Sequence, residues 1–259
     1  MVHELDGRTA VVTGASRGIG LAVVQALAAE GARVVAGARH TSDELAELAK
    51  SGAVEVIEVD LGTPEGPALL VEQAGDRIDI LVNNIGAAPV RPDGFLSITD
   101  EDWLNSLTLN LMTSVRTTRS ALPTMLARGE GSIVNIASVN SSFPDPLVLD
   151  YSVAKAALAA FSKGLSKEVG GRGIRVNTVS PGPVATDLWL SDSGVAATVS
   201  RATGADRAAV AADAAKAMVT GRFSKPTEVA EAVLFLAGPR SGNMVGADLR
   251  VDGGFIPTW

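Results

Sequence analysis

The sequence of 259 residues contains no cysteine and only two histidines, His3 and His40. The lack of cysteine excludes disulfides, thiolate nucleophiles and thiolate metal ligands. Two histidines leave little from which to build a transition-metal site, so no metal site is predicted. They also make a Ser/His/Asp hydrolase a poor explanation, since its general base has to be a histidine close to the nucleophile.

Positive charge and long apolar runs are also scarce. The chain has 22 Lys and Arg residues against 29 Asp and Glu, a formal net charge of -7. This balance argues against nucleic-acid and anionic-membrane partners but leaves room for a local basic pocket. No apolar run approaches the about 18 residues of a membrane span, and residues 1–8 lack a secretory hydrophobic region. We therefore expect no nucleic-acid or membrane partner and a cytoplasmic protein.

Strand-like and helix-like patterns alternate along the whole chain. Because parallel strands need long crossovers, this alternation indicates a parallel sheet with helices on both faces. We predict an α/β fold: a single Rossmann-type doubly wound domain over residues 1–259, with a seven-stranded, mainly parallel sheet. The strands are predicted at 9–13, 33–38, 54–59, 78–82, 132–137, 174–179 and 248–251, and the helices at 19–30, 43–50, 100–126, 151–169 and 227–237.

One long stretch, residues 184–225, fits neither pattern well. It is Ala-rich and follows the sixth predicted strand. Doubly wound sheets bind their ligands beyond the carboxyl ends of the strands. We therefore predict that residues 184–225 form a substrate-loop region within the domain.

A glycine-rich turn, residues 13–20, joins the first predicted strand to the first predicted helix. Its spacing, G-x-x-x-G-x-G, differs from the G-x-G-x-x-G fingerprint, yet glycines there still permit a tight turn at a helix N-terminus that attracts a pyrophosphate. A turn that merely needs small residues is the alternative, which its place after the first strand disfavours. The predicted dinucleotide contacts are Gly14, Ser16, Arg17, Gly18, Ile19 and Gly20.

The end of the second predicted strand indicates which dinucleotide is bound. An acidic residue there would bind the adenosine ribose of NAD, but the sequence has Ala38 followed by Arg39. Arg39 and Arg17 can both reach a 2′-phosphate, for which the planar guanidinium is well suited. We predict NADP(H) as the cofactor. The alternative is that both arginines are solvated surface residues.

A possible proton-transfer group lies between residues 138 and 155. Ser138 ends an apolar run, and Tyr151 and Lys155 are four residues apart in a predicted helix, so they share one face. Tyr151 is the only tyrosine in the chain. A free phenol has a pKa of about 10, and a nearby ammonium lowers that pKa toward the range useful for acid–base catalysis.

The glycine turn and the Ser138, Tyr151 and Lys155 spacing together resemble the short-chain dehydrogenase/reductase family, in particular members similar to 3-oxoacyl thioester reductases. The likeness covers nearly the whole chain. It implies that Asn110 joins Ser138, Tyr151 and Lys155 in a catalytic tetrad, with Asn110 anchoring a proton-relaying water. Tyr151 and Lys155 would also contact the cofactor. Further cofactor contacts implied by the resemblance are Asp60, Leu61, Asn84, Gly86, Pro181, Gly182, Val184 and Thr186.

The resemblance also implies an activity. We expect hydride transfer between the nicotinamide and a small-molecule carbonyl or secondary alcohol, most plainly reduction of a ketone or 3-oxoacyl group, with Tyr151 as general acid/base. An alcohol dehydrogenase working in the oxidative direction is the alternative within this class. A non-catalytic NADP(H)-binding regulator is the alternative outside it, because fold does not fix function. The resemblance further implies a homotetramer.

Overall fold

The computed structural model describes residues 4–258. Its strands are β1 (Thr9–Thr13), β2 (Arg33–Ala38), β3 (Val54–Glu58), β4 (Ile80–Asn83), β5 (Gly131–Ile136), β6 (Ile174–Pro181) and β7 (Asp248–Val251). They form one sheet in the order β3-β2-β1-β4-β5-β6-β7. Every neighbouring pair is parallel. The predicted fold class is therefore confirmed, and the sheet is parallel throughout the described residues.

Helices connect these strands on both faces of the sheet. They are α1 (Gly18–Ala29), α2 (Asp43–Ala49), α3 (Gly66–Glu72), α4 (Asp100–Leu107), α5 (Thr113–Arg128), α6 (Leu149–Val169), α7 (Asp187–Leu190), α8 (Val195–Thr203), α9 (Arg207–Lys216) and α10 (Pro226–Ala237). Short 3-10 turns lie at Phe95–Ser97, Val139–Ser141, Pro146–Val148, Gly170–Arg172 and Pro239–Ser241. Within residues 4–258, no helix combines the length and apolar character needed to cross a membrane.

Two buried layers hold the helices to the sheet. Successive strand residues point to opposite faces, so Val12 packs in the layer under α1 and α10, whereas Val11 packs in the layer under α3 and α5. Leu27 of α1 is fully buried in the first layer and Met125 of α5 in the second. The apolar strands are covered on both faces, as expected for a parallel sheet.

The predicted helix over residues 100–126 is interrupted. One turn, Thr108–Met112, is a π-helix, which separates α4 from α5. Such single wide turns are rare and occur often at functional sites. Here the wide turn carries Asn110, whose side chain is fully buried.

The segment of residues 184–225 is largely helical, since it contains α7, α8 and α9. We call it the lid. Its two ends meet at a parallel bridge between Val184 and Ser224. The amide of Ala185 donates to the Ser224 carbonyl at 2.9 Å, and the Ser224 amide donates to the Pro183 carbonyl at 3.0 Å. The lid is therefore closed at a narrow neck beside the end of β6.

Candidate active site

The predicted site residues gather at the carboxyl edge of the sheet. Parallel strands place all their carboxyl ends on one edge. The glycine turn follows β1, residues 84–86 follow β4, Ser138 follows β5, and the neck of the lid follows β6. The order of the strands thus assembles a site from four segments that lie far apart in the sequence.

The glycine turn after β1 is folded tightly on itself. Gly14 and Gly18 have φ values of +66° and +56°, a conformation that side-chain-bearing residues rarely adopt. A Cβ added at Gly20 would lie 2.1 Å from the Gly14 carbonyl oxygen. These three predicted glycines are therefore required by the backbone geometry of the turn.

Asn84 supports this turn from the end of β4. Its side-chain amide donates to the carbonyl oxygens of Thr13 at 3.0 Å and of Gly14 at 3.1 Å. The Thr13 hydroxyl in turn accepts a hydrogen bond from the backbone N–H of Asn84 at 2.9 Å. Asn84 was predicted as a cofactor contact, and in the structure its side chain fixes the shape of the phosphate turn.

The start of α1 fits a pyrophosphate. The first backbone N–H groups of a helix have no partner within the helix, and its dipole favours an anion there. In the described part of the chain, the first turn of α1 has no acidic residue, and the Arg17 side chain makes no capping hydrogen bond. Together with the close approach allowed by the glycines, this end suits dinucleotide phosphates, and the predicted contacts Ser16 and Ile19 lie in the same turn.

The neck of the lid lies against the same turn. A Cβ added at Gly18 would lie 3.2 Å from Cγ2 of Thr186. Gly182 donates its amide to the Val251 carbonyl at 3.0 Å, and Pro181 and Val184 are buried. Of the cofactor contacts predicted in this segment, Thr186 is thus next to the phosphate turn, whereas Pro181, Gly182 and Val184 lie between the end of β6 and Thr186.

The predicted adenosine side is exposed. The Arg39 side chain is solvent-exposed after β2, and Arg17 lies in an exposed ion pair with Asp187, 3.6 Å from Nη1 to Oδ2. Asp60 is exposed and accepts the Gly62 amide at 2.9 Å. The Leu61 side chain is only 1% exposed, so its backbone is the part that can face a ligand.

Ser138, Tyr151 and Lys155 come together where β5 meets α6. Lys155 Nζ lies 5.8 Å from the centre of the Tyr151 ring and donates to the Ile136 carbonyl at 2.8 Å. Ser138 Oγ accepts the Asn140 amide at 3.2 Å. Lys155 is 2% exposed and Ser138 7%, whereas Tyr151 is half-buried. The three side chains form a small polar group at the carboxyl edge of the sheet.

Burial dominates the electrostatics of this group. It raises the pKa of the Tyr151 phenol, while a hydrogen bond with Ser138 acts to lower it. It lowers the pKa of Lys155 to about 7. Desolvation penalises whichever form carries charge, which explains the opposite directions. The Lys155 side chain can therefore change between amine and ammonium near neutral pH.

Asn110 and Lys155 both lie close to Gly86. A Cβ at Gly86 would be 2.9 Å from Asn110 Oδ1 and 3.1 Å from Lys155 Nζ. The Asn110 side chain accepts the Ala87 amide hydrogen at 3.0 Å and donates to the Ala87 carbonyl at 3.0 Å. Asn110 thus holds the chain where it leaves β4, and the wide π-turn places it there.

Two groups of side chains near the site are not apparent from the sequence. Arg91, in the loop after β4, bridges Asp102 on α4 and Asp150, the residue before Tyr151. Phe255, near the end of the chain, packs edge-to-face on Phe143 with ring centres 6.1 Å apart. Sequence spacing holds no signal for either contact, because each joins residues of distant segments.

The chain is similar to known proteins over nearly its whole length. A family model described as enoyl-(acyl carrier protein) reductase matches residues 14–256. The 3-oxoacyl-[acyl-carrier-protein] reductase of Vibrio harveyi is 34% identical, over 97% of this chain and 98% of the relative. The chain belongs to the short-chain dehydrogenase/reductase family. The predicted family and its assignment as an enzyme of that family are confirmed.

Solved relatives share the whole fold. L-sorbose reductase from Gluconobacter frateurii, solved with NADPH and L-sorbose, superposes with a TM-score of 0.90, at 36% identity and full coverage of both chains. A protein from Beutenbergia cavernae, described as an NAD(P)-dependent gluconate 5-dehydrogenase and solved with bound NADP, has a TM-score of 0.87 at 34% identity, also with full coverage. Short-chain dehydrogenase/reductases of this fold therefore act on chemically different substrates.

Proposed function

We propose that the protein is an NADP(H)-dependent oxidoreductase that reduces a ketone or 3-oxoacyl carbonyl to a secondary alcohol, with Tyr151 as general acid. The observation that carries the proposal is the grouping of Tyr151, Lys155 and Ser138 at the same sheet edge as the glycine turn. The predicted cofactor, NADP(H), agrees with the solved relatives, which hold NADPH or NADP.

Each polar side chain has a distinct part in the proposed reaction. A bound nicotinamide supplies the hydride for the carbonyl carbon. The Ser138 hydroxyl donates a hydrogen bond to the substrate oxygen and orients it. The Tyr151 phenol gives that oxygen its proton, which completes the alcohol and leaves a phenolate. Lys155, at 5.8 Å from the ring, stabilises the phenolate when it is protonated.

The effect of the Lys155 charge on the pKa of Tyr151 follows from the distance between the ammonium and the ring. A charge 5.8 Å away at an effective dielectric of about 20 is worth about 3 kcal/mol. This corresponds to about 2 pKa units and opposes the rise caused by burial. Because the pKa of Lys155 is itself about 7, this assistance is largest at neutral pH and below.

Segments that adjoin the polar group carry exposed apolar side chains. Phe143 and Leu147, in the loop between Ser138 and α6, are 49% and 40% exposed, and Leu188 at the start of the lid is 44% exposed. Exposed apolar side chains are typical of ligand sites. We propose a ketone or acyl chain with apolar substituents in preference to a polyhydroxylated ketone.

The oxidative direction is the second candidate. One solved relative is described as a dehydrogenase. The same residues serve both directions, since a phenolate at Tyr151 is the base that would remove the hydroxyl proton of a secondary alcohol. A non-catalytic cofactor-binding regulator has less support, because cofactor binding alone does not require the Ser138 hydroxyl beside Tyr151.

A carbonyl panel tests the proposal directly. NADPH consumption is followed with apolar ketones, 3-oxoacyl thioesters and sugar ketones, and alcohols are tested with NADP. We expect turnover of at least one apolar carbonyl and its loss in Tyr151→Phe, with NADPH binding retained. Turnover by Tyr151→Phe close to that of the unchanged protein would reject the role of Tyr151. Silence across the panel would favour the regulator.

We also propose a homotetramer and a cytoplasmic location, as expected from the sequence. Leu104 on α4 is 65% exposed and Val153 on α6 is 44% exposed. Apolar side chains exposed on these helices support contacts between copies of the chain. Light scattering coupled to gel filtration measures the mass, and a monomer at micromolar concentration would contradict the tetramer.

A further inference from the structure

A partly buried arginine bridges two segments beside the site. Arg91, with 17% of its side chain exposed, donates from Nη2 to Asp150 Oδ2 at 2.8 Å and from Nη1 to Asp102 Oδ1 at 2.9 Å. Its backbone amide donates to the Leu147 carbonyl at 2.7 Å. Arg91 therefore ties the loop after β4 to the loop before α6 and to the first turn of α4.

The Asp150 carboxylate lies in an unusual environment for a charged group. It is 0% exposed, lies in the first turn of α6 and directly precedes Tyr151. Among the described residues, its Oδ1 and the Arg91 Nε have no hydrogen-bond partner. Buried ion pairs are seldom a net gain in stability over apolar residues of the same volume. Stability alone is therefore a weak reason for this pair.

We propose that Arg91 is a positioning residue for the reaction: it neutralises the buried carboxylate of Asp150 and fixes the first turn of α6, which carries Tyr151. The inference rests on the proposed role of Tyr151 as general acid. Without Arg91, an uncompensated negative charge would lie one residue from the phenol and would disfavour its phenolate. A nearby like charge raises the pKa of an acid.

The charged groups around this turn are few. Lys155 faces Tyr151 from α6 itself, and Arg91 faces Asp150 from the loop after β4. Asp102 on α4 reaches the turn only through Arg91. Asp145, in the loop before α6, is exposed and accepts the Leu147 amide at 2.9 Å. Asp150 is thus the buried negative charge whose compensation depends on Arg91.

The single tyrosine of the chain makes the test direct. The near-ultraviolet difference absorbance of tyrosinate, recorded against pH on the full chain without cofactor, reports Tyr151 alone. We expect Arg91→Met to raise the titration midpoint by about one pH unit. Asp150→Asn is expected to lower it, and the double variant Arg91→Met/Asp150→Asn should return it to that of the unchanged protein.

Asp102→Asn is the matched control. It alters the half-exposed partner of the same guanidinium while keeping an oxygen acceptor, so the Tyr151 midpoint should stay where it is. Coincident midpoints in Arg91→Met, Asp150→Asn and the unchanged protein would overturn the inference. If Arg91→Met does not fold, the Asp150→Asn shift alone decides, and its absence rejects the proposal.

Kinetics separate this inference from the proposed function. With the best ketone of the panel, Arg91→Met should lower kcat about tenfold with little change in the KM for NADPH, and the double variant should recover most of the loss. An equal loss in the single and double variants would indicate a merely structural role. Full activity of Tyr151→Phe would instead overturn the proposed function, whatever the Arg91 variants do.

Discussion

Replacing Gly86 by alanine should disable the site with a single methyl group. The backbone at Gly86 is not left-handed, so alanine meets no conformational strain there. The added Cβ would, however, lie 2.9 Å from Asn110 Oδ1 and 3.1 Å from Lys155 Nζ. Either the buried Asn110 amide gives up its hydrogen bonds to Ala87, or the Lys155 ammonium moves away from Tyr151.

The magnitude follows from the cost of overpacking. Inserting a methyl group into a closely packed region costs about 1–3 kcal/mol, and each 1.4 kcal/mol in a barrier is about tenfold in rate. We therefore expect Gly86→Ala to lower kcat by about one to two orders of magnitude. The assay is NADPH consumption with a ketone substrate, accompanied by thermal melting to establish that the variant is folded.

Gly164→Ala is the matched control for this experiment. Gly164 is exposed in the middle of α6, and a Cβ there has no heavy atom within 4 Å in the described residues. Alanine should stabilise the helix by about 0.5–1 kcal/mol and leave turnover unchanged. A folded Gly86→Ala enzyme whose kcat stays within about twofold of the unchanged protein would refute the proposed packing of Asn110 and Lys155 around Gly86.

Three further outcomes are expected. The melting temperature of Lys155→Met should exceed that of the unchanged protein by more at pH 6 than at pH 10. The pKa of Lys155 in the folded protein, about 7, lies below that of an unfolded lysine, so the unchanged protein loses the cost of its buried charge as the pH rises from about 7 to about 10.5. Arg39→Ala should weaken NADPH binding about ten- to a hundredfold and leave NADH binding unchanged in fluorescence titrations. Phe255→Ala should lower kcat/KM for an aryl ketone several-fold through the lost contact with Phe143.

A different result would contradict each of these three predictions. A melting difference that does not vary with pH would mean that Lys155 is not desolvated. Equal weakening of NADPH and NADH would mean that Arg39 does not bind the 2′-phosphate. Lys50→Ala, an exposed change directly after α2, checks for a general effect of lost positive charge. Unchanged kcat/KM in Phe255→Ala would place its ring outside the substrate site.

Local sequence patterns predicted most of the sheet. The predicted limits of β1, β2 and β7 coincide with the observed ones, because apolar runs bounded by turn residues mark buried strands well. The helix α3 was not predicted, since it is only seven residues long and begins with a Gly-Pro pair. The lid was expected to be irregular, because its helices are short, with four, nine and ten residues.

The interrupted helix and the buried ion pair show the limit of local patterns. The π-turn that carries Asn110 accompanies hydrogen bonds to Ala87, a contact set by the end of a distant strand. Arg91 and Asp150 are 59 residues apart, and each alone reads as a surface charge. Spacing on one helix placed Tyr151 and Lys155 together correctly, whereas partners across the fold need the tertiary structure.

The neck between Val184 and Ser224 makes the lid an exchangeable module. Its ends are already joined by a bridge at the edge of the core, so a replacement segment would need to match only this one closure. Lengthening a closed loop is cheap, at about 0.6 kcal/mol for each doubling. We therefore expect that a different segment can be grafted between Val184 and Ser224 while the sheet and the group of Ser138, Tyr151 and Lys155 stay as they are.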